Sequence, residues 1–396
     1  GRRMVEAKRL LWYTDRAADA DQWGIAAFAG RSMGIGAELQ RQDNLYTLVS
    51  VGPQGNEYRV ISSLAATHTG TDVAALSGYF TDPAVSVVTM TITEAGYVRN
   101  ERGELDAGNP DVASDIDVIA AGNLNAVRTA PGKLVAGLVA RRDAGAGPIT
   151  LISCDNVPDN GAMLERVLRD MVSRAVPDLE QYLDDEVGFV TTMVDRITPR
   201  ATDAIWQAVQ DEQGVDDPAA IGTEPFSEWV LAGDLKGQVP DWASAGAVFV
   251  DDVVPHELRK LWLLNGAHSL LAYCGLRRGH TFVHEAIADP ELRGLAETLM
   301  LHEAAPTIAA APGQDLPRYA SELMRRFANS ALNHRLIQIA MDGSQKLPQR
   351  WLETLAANQQ QGRDCPAIMA GIAAWIEHLR GANGPVDDPL AAELGR

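Results

Sequence analysis

Short apolar runs that are rich in β-branched residues recur through the first half of the chain. They occupy residues 23–28 (WGIAAF), 85–91 (VSVVTMT) and 149–154 (ITLISC). Each run is long enough for a strand that is buried on both faces, as in a parallel sheet. Residues 45–51 and 58–64 alternate instead around GPQGNE, which predicts a hairpin. Because helical stretches such as residues 123–142 lie between the runs, this half predicts a doubly wound α/β domain.

The pattern changes near residue 250, where windows with a helical period replace the strand-like runs. These windows span residues 256–273, 291–304, 319–341 and 367–379. A Gly- and Pro-bearing stretch, AGDLKGQVPDWASAG, precedes the change, so we place the domain boundary between residues 248 and 249. The sequence thus predicts an α/β domain followed by an all-α domain, with a site in the cleft between them.

Composition and charge limit the classes of molecule that we expect the protein to bind. The chain is 46% hydrophobic and 22% charged, which is ordinary for a folded protein. Its formal net charge is -19 and no basic patch stands out, so we expect no nucleic-acid partner. Its apolar stretches fall short of the roughly 20 residues of a membrane span, and three scattered cysteines do not make a disulfide framework or a zinc site. We expect a monomeric, cytoplasmic protein that acts on a small molecule.

The segment 256–275 (HELRKLWLLNGAHSLLAYCG) carries a group of polar residues on a largely apolar helix. At about 100° per residue, its members fall within an arc of about 140°; they are Glu257, Lys260, Asn265 and His268. One interpretation is structural, with a capping acid, a solvent-reaching lysine and two satisfied core residues. The other is catalytic, because burial lowers the pKa of a lysine. Lys260 is then a general base, Asn265 a donor to a developing alkoxide and His268 a group that orients a substrate hydroxyl.

Two further polar segments follow apolar runs. SCDNVPDNG at 153–161 comes directly after ITLIS, where open α/β sheets place their ligands. Within this segment, Asn156 is the candidate for a functional role, whereas the sequence of residues 159–161 is typical of a turn. FVTTMVDRITP at 189–199 places Asp195 and Arg196 after an apolar run, where the two form either an ion pair at a strand end or part of a site.

Together, VDRITP, SCDN and the K-x4-N-x2-H spacing resemble the mannitol dehydrogenase family of polyol-specific long-chain dehydrogenases and reductases. Further matches are QDNLYTL (42–48), TITEAGY (91–97), EPFSEWVLAGD (224–234) and NHRLIQIAMDGSQKLPQR (333–350). The resemblance implies a Rossmann-like dinucleotide-binding domain at 1–248 and a helical substrate and catalytic domain at 249–396. It also implies a metal-independent, NAD- or NADP-dependent enzyme that interconverts a polyol or aldonate with a ketose or keto-hexuronate.

The resemblance implies roles for individual residues. The catalytic set is Lys260 as the base, Asn156 and Asn265 as oxyanion-stabilising amides, His268 for substrate orientation and Glu257 for proton passage. Asp195 and Lys346 match positions that line the substrate pocket, and Arg335 is placed to meet a sugar-acid carboxylate. Residues 333–350 are most similar to the hexuronate reductase branch, which slightly favours fructuronate and mannonate over fructose and mannitol. Trp262 departs from the family, which usually has a basic residue there.

The start of the chain also departs from the family pattern. The family's first strand and its G-x-G-x-F phosphate loop would fall at residues 1–5, where GRRMV has an arginine for the second glycine. We expect a truncated start, a misassigned start or damaged cofactor binding, and the alternative function is a cofactor-deficient, non-catalytic sugar-binding protein. WGIAAF matches the family's second strand, whose end recognises the adenosine ribose; Arg31 and Ser32 there would tolerate a 2′-phosphate. Glu94 of TITEAGY completes the predicted cofactor-binding set.

Overall fold

Parallel strands form the framework of the first part of the chain in the computed structural model, which describes residues 11–30, 34–198 and 202–395. The strands are β1 (Ile25–Ala29), β2 (Tyr46–Gly52), β3 (Gly55–Ile61), β4 (Leu64–Thr69), β5 (Val87–Met90), β6 (Ile149–Ser153), β7 (Val187–Asp195), β8 (Ile221–Thr223), β9 (Glu228–Gly233) and β10 (Val248–Phe249). β1 pairs with β4, β2 lies between β3 and β8, and the remaining order is β10-β9-β7-β6-β5. β5, β6 and β7 run parallel, so the carboxyl ends of these three strands meet at one edge.

Helices connect these strands. They are α1 (Gly34–Arg41), α2 (Val73–Phe80), α3 (Pro110–Ala120), α4 (Ala130–Ala144), α5 (Asn160–Ala175), α6 (Glu180–Glu186) and α7 (Asp203–Gln213), with 3-10 turns at Ala20–Gln22, Glu94–Tyr97, Leu124–Ala126 and Pro177–Leu179. The helix predicted over 123–142 begins only at Ala130, because the Thr129 side chain accepts the Gly132 N–H and caps it there. Parallel strands joined through helices confirm the predicted doubly wound fold class.

Burial explains why the predicted strands form. All five residues of β6 are buried, as expected for a parallel strand that is covered on both faces. α5 begins against β7 at Gly161, where a Cβ would lie 2.5 Å from the Thr191 nitrogen, so a side chain does not fit. The three apolar runs correspond to β1, β5 and β6, and the hairpin is formed by β2 and β3. β9, which runs antiparallel to β7, was not predicted.

The second part of the chain is helical. It contains α8 (Val254–Leu258), α9 (Gly266–Arg277), α10 (Val283–Ala288), α11 (Pro290–Thr298), α12 (Leu316–Phe327), α13 (Leu336–Ile339), α14 (Gly343–Leu347), α15 (Glu353–Gln360), α16 (Pro366–Leu379) and α17 (Ala391–Leu394), with 3-10 turns at Ala305–Thr307 and Ser330–Leu332. Among the described residues, three segments have π geometry: π1 (Arg259–Asn265), π2 (Leu299–Ala304) and π3 (Pro348–Leu352). α8, π1 and α9 follow one another without interruption, so the predicted helix over 256–273 is present but is not α-helical throughout.

The helix predicted over 319–341 is wrong as a single element. α12 ends at Phe327 and α13 begins only at Leu336. Between them Asn333 has φ 45°, and Arg335 forms an isolated antiparallel bridge with Phe282. The left-handed residue and the bridge divert the backbone from the helical path, although the apolar period continues through this stretch.

The chain divides into two compact units. The first holds the described residues up to Ser50 together with Asn56–Val253, and the second holds Val51–Gly55 together with the described residues from Val254 onward. The tip of the β2–β3 hairpin therefore belongs to the helical unit, where the Asn329 Nδ2 donates to the Val51 carbonyl at 3.0 Å. None of the described helices is both long enough and apolar enough to cross a membrane.

Candidate active site

The predicted site residues divide between the two units, and each set is described by itself. The first unit holds Glu94, Asn156 and Asp195; the second holds Glu257, Lys260, Asn265, His268, Arg335 and Lys346. Arg31, Ser32 and the predicted phosphate loop at residues 1–5 lie outside the described residues.

A buried carboxylate organises the loops that follow β5 and β6. Asp155 accepts the backbone N–H groups of Ile92 at 2.9 Å and Thr93 at 2.7 Å, and the hydroxyl of Tyr97 at 2.7 Å. Burial, reinforced by this carboxylate, raises the pKa of Tyr97, so the phenol keeps its proton and donates a hydrogen bond to Asp155. The Ser153 Oγ lies 2.6 Å from the same hydroxyl and therefore donates to it. The carboxylate thus ties the β5 loop to the end of β6.

The loop that Asp155 holds has a strained backbone. Thr93 has φ 66° and ψ 163°, a region that is essentially restricted to glycine. Such strain costs about 1–3 kcal/mol and persists only where the surroundings hold it. The exposed Glu94 follows directly and lies 3.0 Å from Arg99, and both residues line a cavity of about 520 Å³ that extends to Asn109. The bonds from Asp155 therefore set where this predicted cofactor-binding residue lies.

The two asparagines after β6 differ in burial. Asn156 is exposed. Asn160 is fully buried, and its Nδ2 donates to the carbonyls of Asp155 at 2.8 Å and Thr192 at 2.9 Å while its Oδ1 accepts the Thr192 N–H. This pattern ties β6 to β7 and supports the structural interpretation of residues 159–161. Sequence reasoning selected Asn156 and passed over Asp155, because neighbouring polar residues carry no signal of which one points inward.

Asp195 ends β7, is buried, and stands opposite Glu228 of β9. The guanidinium of the following Arg196 lies over the Trp12 ring at 4.8 Å, and its Nε donates to the Glu224 carbonyl at 3.3 Å. Arg196 is thus engaged by an aromatic face and a carbonyl outside β7. A buried carboxylate at the carboxyl end of a strand is suited to accept hydroxyl groups, and Asp195 stays a predicted substrate residue.

Glycines follow the carboxyl ends of β1 and β4, at Gly30 and Gly70, and the Lys133 Nζ donates to the Gly70 carbonyl. The Gly70 N–H donates to the Gly30 carbonyl at 2.7 Å, and a Cβ on Gly70 would lie 2.5 Å from that oxygen. Open α/β sheets bind ligands outside the carboxyl ends of their strands, and glycines there let the backbone approach a pyrophosphate. This cradle, together with the held loop at Glu94, fits a dinucleotide.

The predicted catalytic helix changes geometry between its polar residues. The Gly266 N–H donates to the Leu261 carbonyl five residues back, which is the mark of a π turn. The projection at about 100° per residue is therefore wrong across π1, because a π turn holds more residues than an α turn. Lys260 and Asn265 both lie in π1 and are half-buried. Five residues apart, they would be about 140° apart on an α-helix but approach one face in a π turn.

Side chains of π3 hold the end of π1. One guanidinium nitrogen of Arg350 donates to the Asn265 carbonyl at 3.4 Å and to the Ser269 Oγ at 2.8 Å. The Trp351 Nε1 donates to the Gly266 carbonyl at 3.1 Å. Burial lowers the pKa of Arg350 to about 10, which leaves it charged at neutral pH. Sequence reasoning missed both residues, because the bonds depend on π turns that a regular helical projection excludes.

His268 lies one turn into α9 and is buried. Its ring packs against Phe327 at 4.7 Å between centroids and meets the ring of His334 edge-on at 5.4 Å. Burial lowers the pKa of His334, so this neighbour is uncharged near neutral pH. Sequence reasoning did not single out His334. His334 therefore meets the His268 ring as an uncharged aromatic neighbour.

The two predicted cations of the substrate pocket differ in environment. Arg335 is exposed and immediately precedes α13. Lys346 is half-buried in α14, where its Nζ donates to the Met341 carbonyl and lies 3.8 Å from an Asp342 oxygen. Lys346 is thus held in place, whereas the exposed Arg335 suits either a surface role or a role that begins when a ligand covers it.

Comparisons with known proteins cover nearly the whole chain. A model of the mannitol dehydrogenase Rossmann domain matches residues 12–244, and a model of the mannitol dehydrogenase C-terminal domain matches residues 252–395. The chain is 37% identical to the D-mannonate oxidoreductase of Escherichia coli (strain K12), covering 96% of this chain and 79% of that protein. It is 35% identical to a mannitol 2-dehydrogenase of Phaeosphaeria nodorum, covering 90% and 64%.

A solved structure gives the same result. Mannitol 2-dehydrogenase of Pseudomonas fluorescens, in a ternary complex with NAD and D-mannitol, superposes with a TM-score of 0.84 at 33% identity, covering 98% of this chain and 80% of that chain. These matches confirm the predicted family, the predicted fold class and the prediction of an enzyme. They lend no support to the alternative of a non-catalytic sugar-binding protein. The chain belongs to the mannitol dehydrogenase family of oxidoreductases.

Proposed function

We propose that this chain catalyses reversible hydride transfer between a nicotinamide dinucleotide and a sugar substrate. In one direction a ketose or keto-hexuronate is reduced to a polyol or aldonate, and in the other the secondary alcohol is oxidised. The bound dinucleotide supplies or accepts the hydride. The observation that carries the proposal is π1, which brings the half-buried Lys260 and Asn265 toward one face of a helix that also bears the buried His268.

The side chains of this helix supply the proton chemistry. Lys260 takes the proton of the secondary hydroxyl during oxidation and returns it during reduction. The amide N–H groups of Asn265 and Asn156 donate to the alkoxide as charge develops on the oxygen. His268 orients a substrate hydroxyl, and Glu257, three residues before the base, passes the proton toward solvent.

We propose that the substrate is slightly better matched by fructuronate and mannonate than by fructose and mannitol. Asp195 and Lys346 contact the substrate in either case, and Arg335 pairs with the carboxylate of a sugar acid. Support comes from residues 333–350 and from the similarity to a D-mannonate oxidoreductase. Because the chain is also similar to mannitol 2-dehydrogenases, the preference that we propose for the sugar acids is only slight.

We propose NAD or NADP as the dinucleotide. The glycine edge at Gly30 and Gly70 and the loop at Glu94 support this cofactor class. Arg31 and Ser32, at the position that meets the adenosine ribose, tolerate a 2′-phosphate better than an acid would. Titration of NADH and NADPH by fluorescence tests the cofactor: saturable binding of either supports the proposal.

The test of the catalytic role is Lys260→Ala in the full chain, assayed by NADH- and NADPH-dependent reduction of fructuronate and of fructose. Loss of general acid–base catalysis should lower kcat by about 10²–10⁴-fold. The matched control is Lys236→Ala, which removes a half-buried lysine of the first unit that pairs with Asp234 at 3.1 Å. A folded Lys260→Ala protein that turns over like the Lys236→Ala control would overturn the assignment of Lys260.

A further inference from the structure

π1 and π3 exchange hydrogen bonds in both directions. The Trp262 Nε1 of π1 donates to the Gln349 carbonyl of π3 at 3.0 Å, while Arg350 and Trp351 of π3 donate to the end of π1. If π1 or π3 returned to α geometry, the hydrogen bonds that join it to the other segment would be strained. Trp262 thus has a structural use here.

The π turn needs such support because π geometry is rare and confined to short segments, often at functional sites. Arg350 and Trp351 reach the carbonyls of Asn265 and Gly266, which are the last residue of π1 and the first of α9. Trp351 is fully buried, and Gly371 leaves room for it, since a Cβ there would lie 2.8 Å from the indole ring. The junction is therefore held by a packed ring and a half-buried cation.

We propose that Arg350, assisted by Trp351 and Trp262, is a positioning residue that holds the π turn on which Lys260 and Asn265 are presented. The inference rests on the proposed function of these two residues. Arg350 acts through the Asn265 backbone: if its bond is lost, π1 can relax toward α geometry, and the base and the amide donor move apart around the helix axis. Misplacement of a reacting group by about 1 Å costs on the order of 10²-fold in rate.

A double-mutant cycle tests the inference. Arg350→Met keeps most of the side-chain length and removes its donors, and should lower kcat by about 10- to 100-fold per folded site while NADH binding is unchanged. Asn265→Ala removes the proposed amide donor. Because part of the effect of Arg350→Met is the displacement of the Asn265 amide, Arg350→Met should lower kcat by a smaller factor when it is added to Asn265→Ala than in the wild type. Full additivity of the two losses would overturn the inference, since it would show independent effects.

A matched control separates positioning from general stability. Tyr182→Phe also removes a side-chain donor to a carbonyl, the bond to Gly147 at 3.0 Å, but in the first unit and not at the π junction. It should lower the melting temperature and leave kcat within about threefold of wild type. If Arg350→Met loses kcat only as much as Tyr182→Phe, the positioning role fails.

Two further variants keep the test decisive if Arg350→Met does not fold. Trp351→Phe removes one N–H donor and should lower kcat by several-fold, and Arg350→Lys, which retains a donor, should be less impaired than Arg350→Met. Wild-type kcat in both folded variants would overturn the inference. Failure of the proposed function gives a different result, because Asn265→Ala alone would then retain wild-type kcat.

Discussion

The carboxylate of Asp155 offers a direct test of how the first unit holds its cofactor loop. The substitution Asp155→Asn keeps the shape of the side chain but replaces one carboxylate oxygen with an amide group that donates hydrogen bonds. In the wild type, the two carboxylate oxygens accept from the Ile92 and Thr93 N–H groups and from the Tyr97 hydroxyl. Hydrogen bonds to a charged group contribute about 1.5–3 kcal/mol each, and a donor that then faces a donor adds a further penalty. We expect the substitution to cost about 2–4 kcal/mol at this position.

Part of that cost is relieved by movement of the loop. Thr93 stores about 1–3 kcal/mol of backbone strain at φ 66°, which it releases when its anchor weakens. Glu94 moves with it. If the held position of the loop is the one that binds the dinucleotide, the same 1–3 kcal/mol appears as NADH binding that is about 5- to 150-fold weaker.

The assay is titration of NADH fluorescence with the folded variant, with the melting temperature measured in parallel. Asp170→Asn is the matched control, because Asp170 accepts a single backbone N–H, that of Leu105 at 3.1 Å. Because glycine carries no strain at the backbone angles of Thr93, Thr93→Gly alone should bind nearly normally, and adding Thr93→Gly to Asp155→Asn should restore part of the lost binding. A folded Asp155→Asn protein with the wild-type Kd for NADH would refute the reasoning.

Three other predictions follow from the described residues. Among them no group of three or more His, Cys, Asp or Glu side chains could hold a metal ion, so turnover should survive EDTA; loss of turnover that zinc restores would contradict this. Arg335→Ala should raise the KM for fructuronate at least about tenfold and barely alter that for fructose, with Arg277→Ala as the exposed control; equal effects on both substrates would favour mannitol and fructose. Burial lowers the pKa of His378, so the unfolded chain takes up a proton near its ordinary pKa of about 6.5 before the folded protein does. The melting temperature should therefore fall as pH drops below about 6.5, less steeply in His378→Gln.

The parts of the fold that depend on local pattern were predictable from sequence. Residues 149–154 are a continuous apolar run, which predicts a strand that is buried on both faces. β6 is fully buried, as predicted. β9 was missed because its pairing with β7 depends on a partner far along the chain. The break between α12 and α13 was missed for a similar reason, since the bridge between Phe282 and Arg335 joins distant residues.

The candidate site was predictable as a set of residues and less so as an arrangement. Lys260, Asn265 and His268 were found from their spacing, but the spacing was interpreted on an α-helix, and π1 changes the angles between them. Asp155 was missed because its importance comes from burial and from three donors in the TITEAGY loop. Residues that act by positioning other residues are hard to recognise from a sequence motif.

The hairpin tip that belongs to the helical unit has a consequence for the order in which the protein is made. The Asn329 Nδ2 and the Val51 carbonyl are separated by 278 residues, so the tip emerges from the ribosome long before its partner. At about 5–20 residues per second, the interval is roughly 14–56 s. During that time the strands β2 and β3 can pair, but Val51–Gly55 has no helical unit to join. The helical unit is therefore completed by a segment that was synthesised long before the rest of that unit.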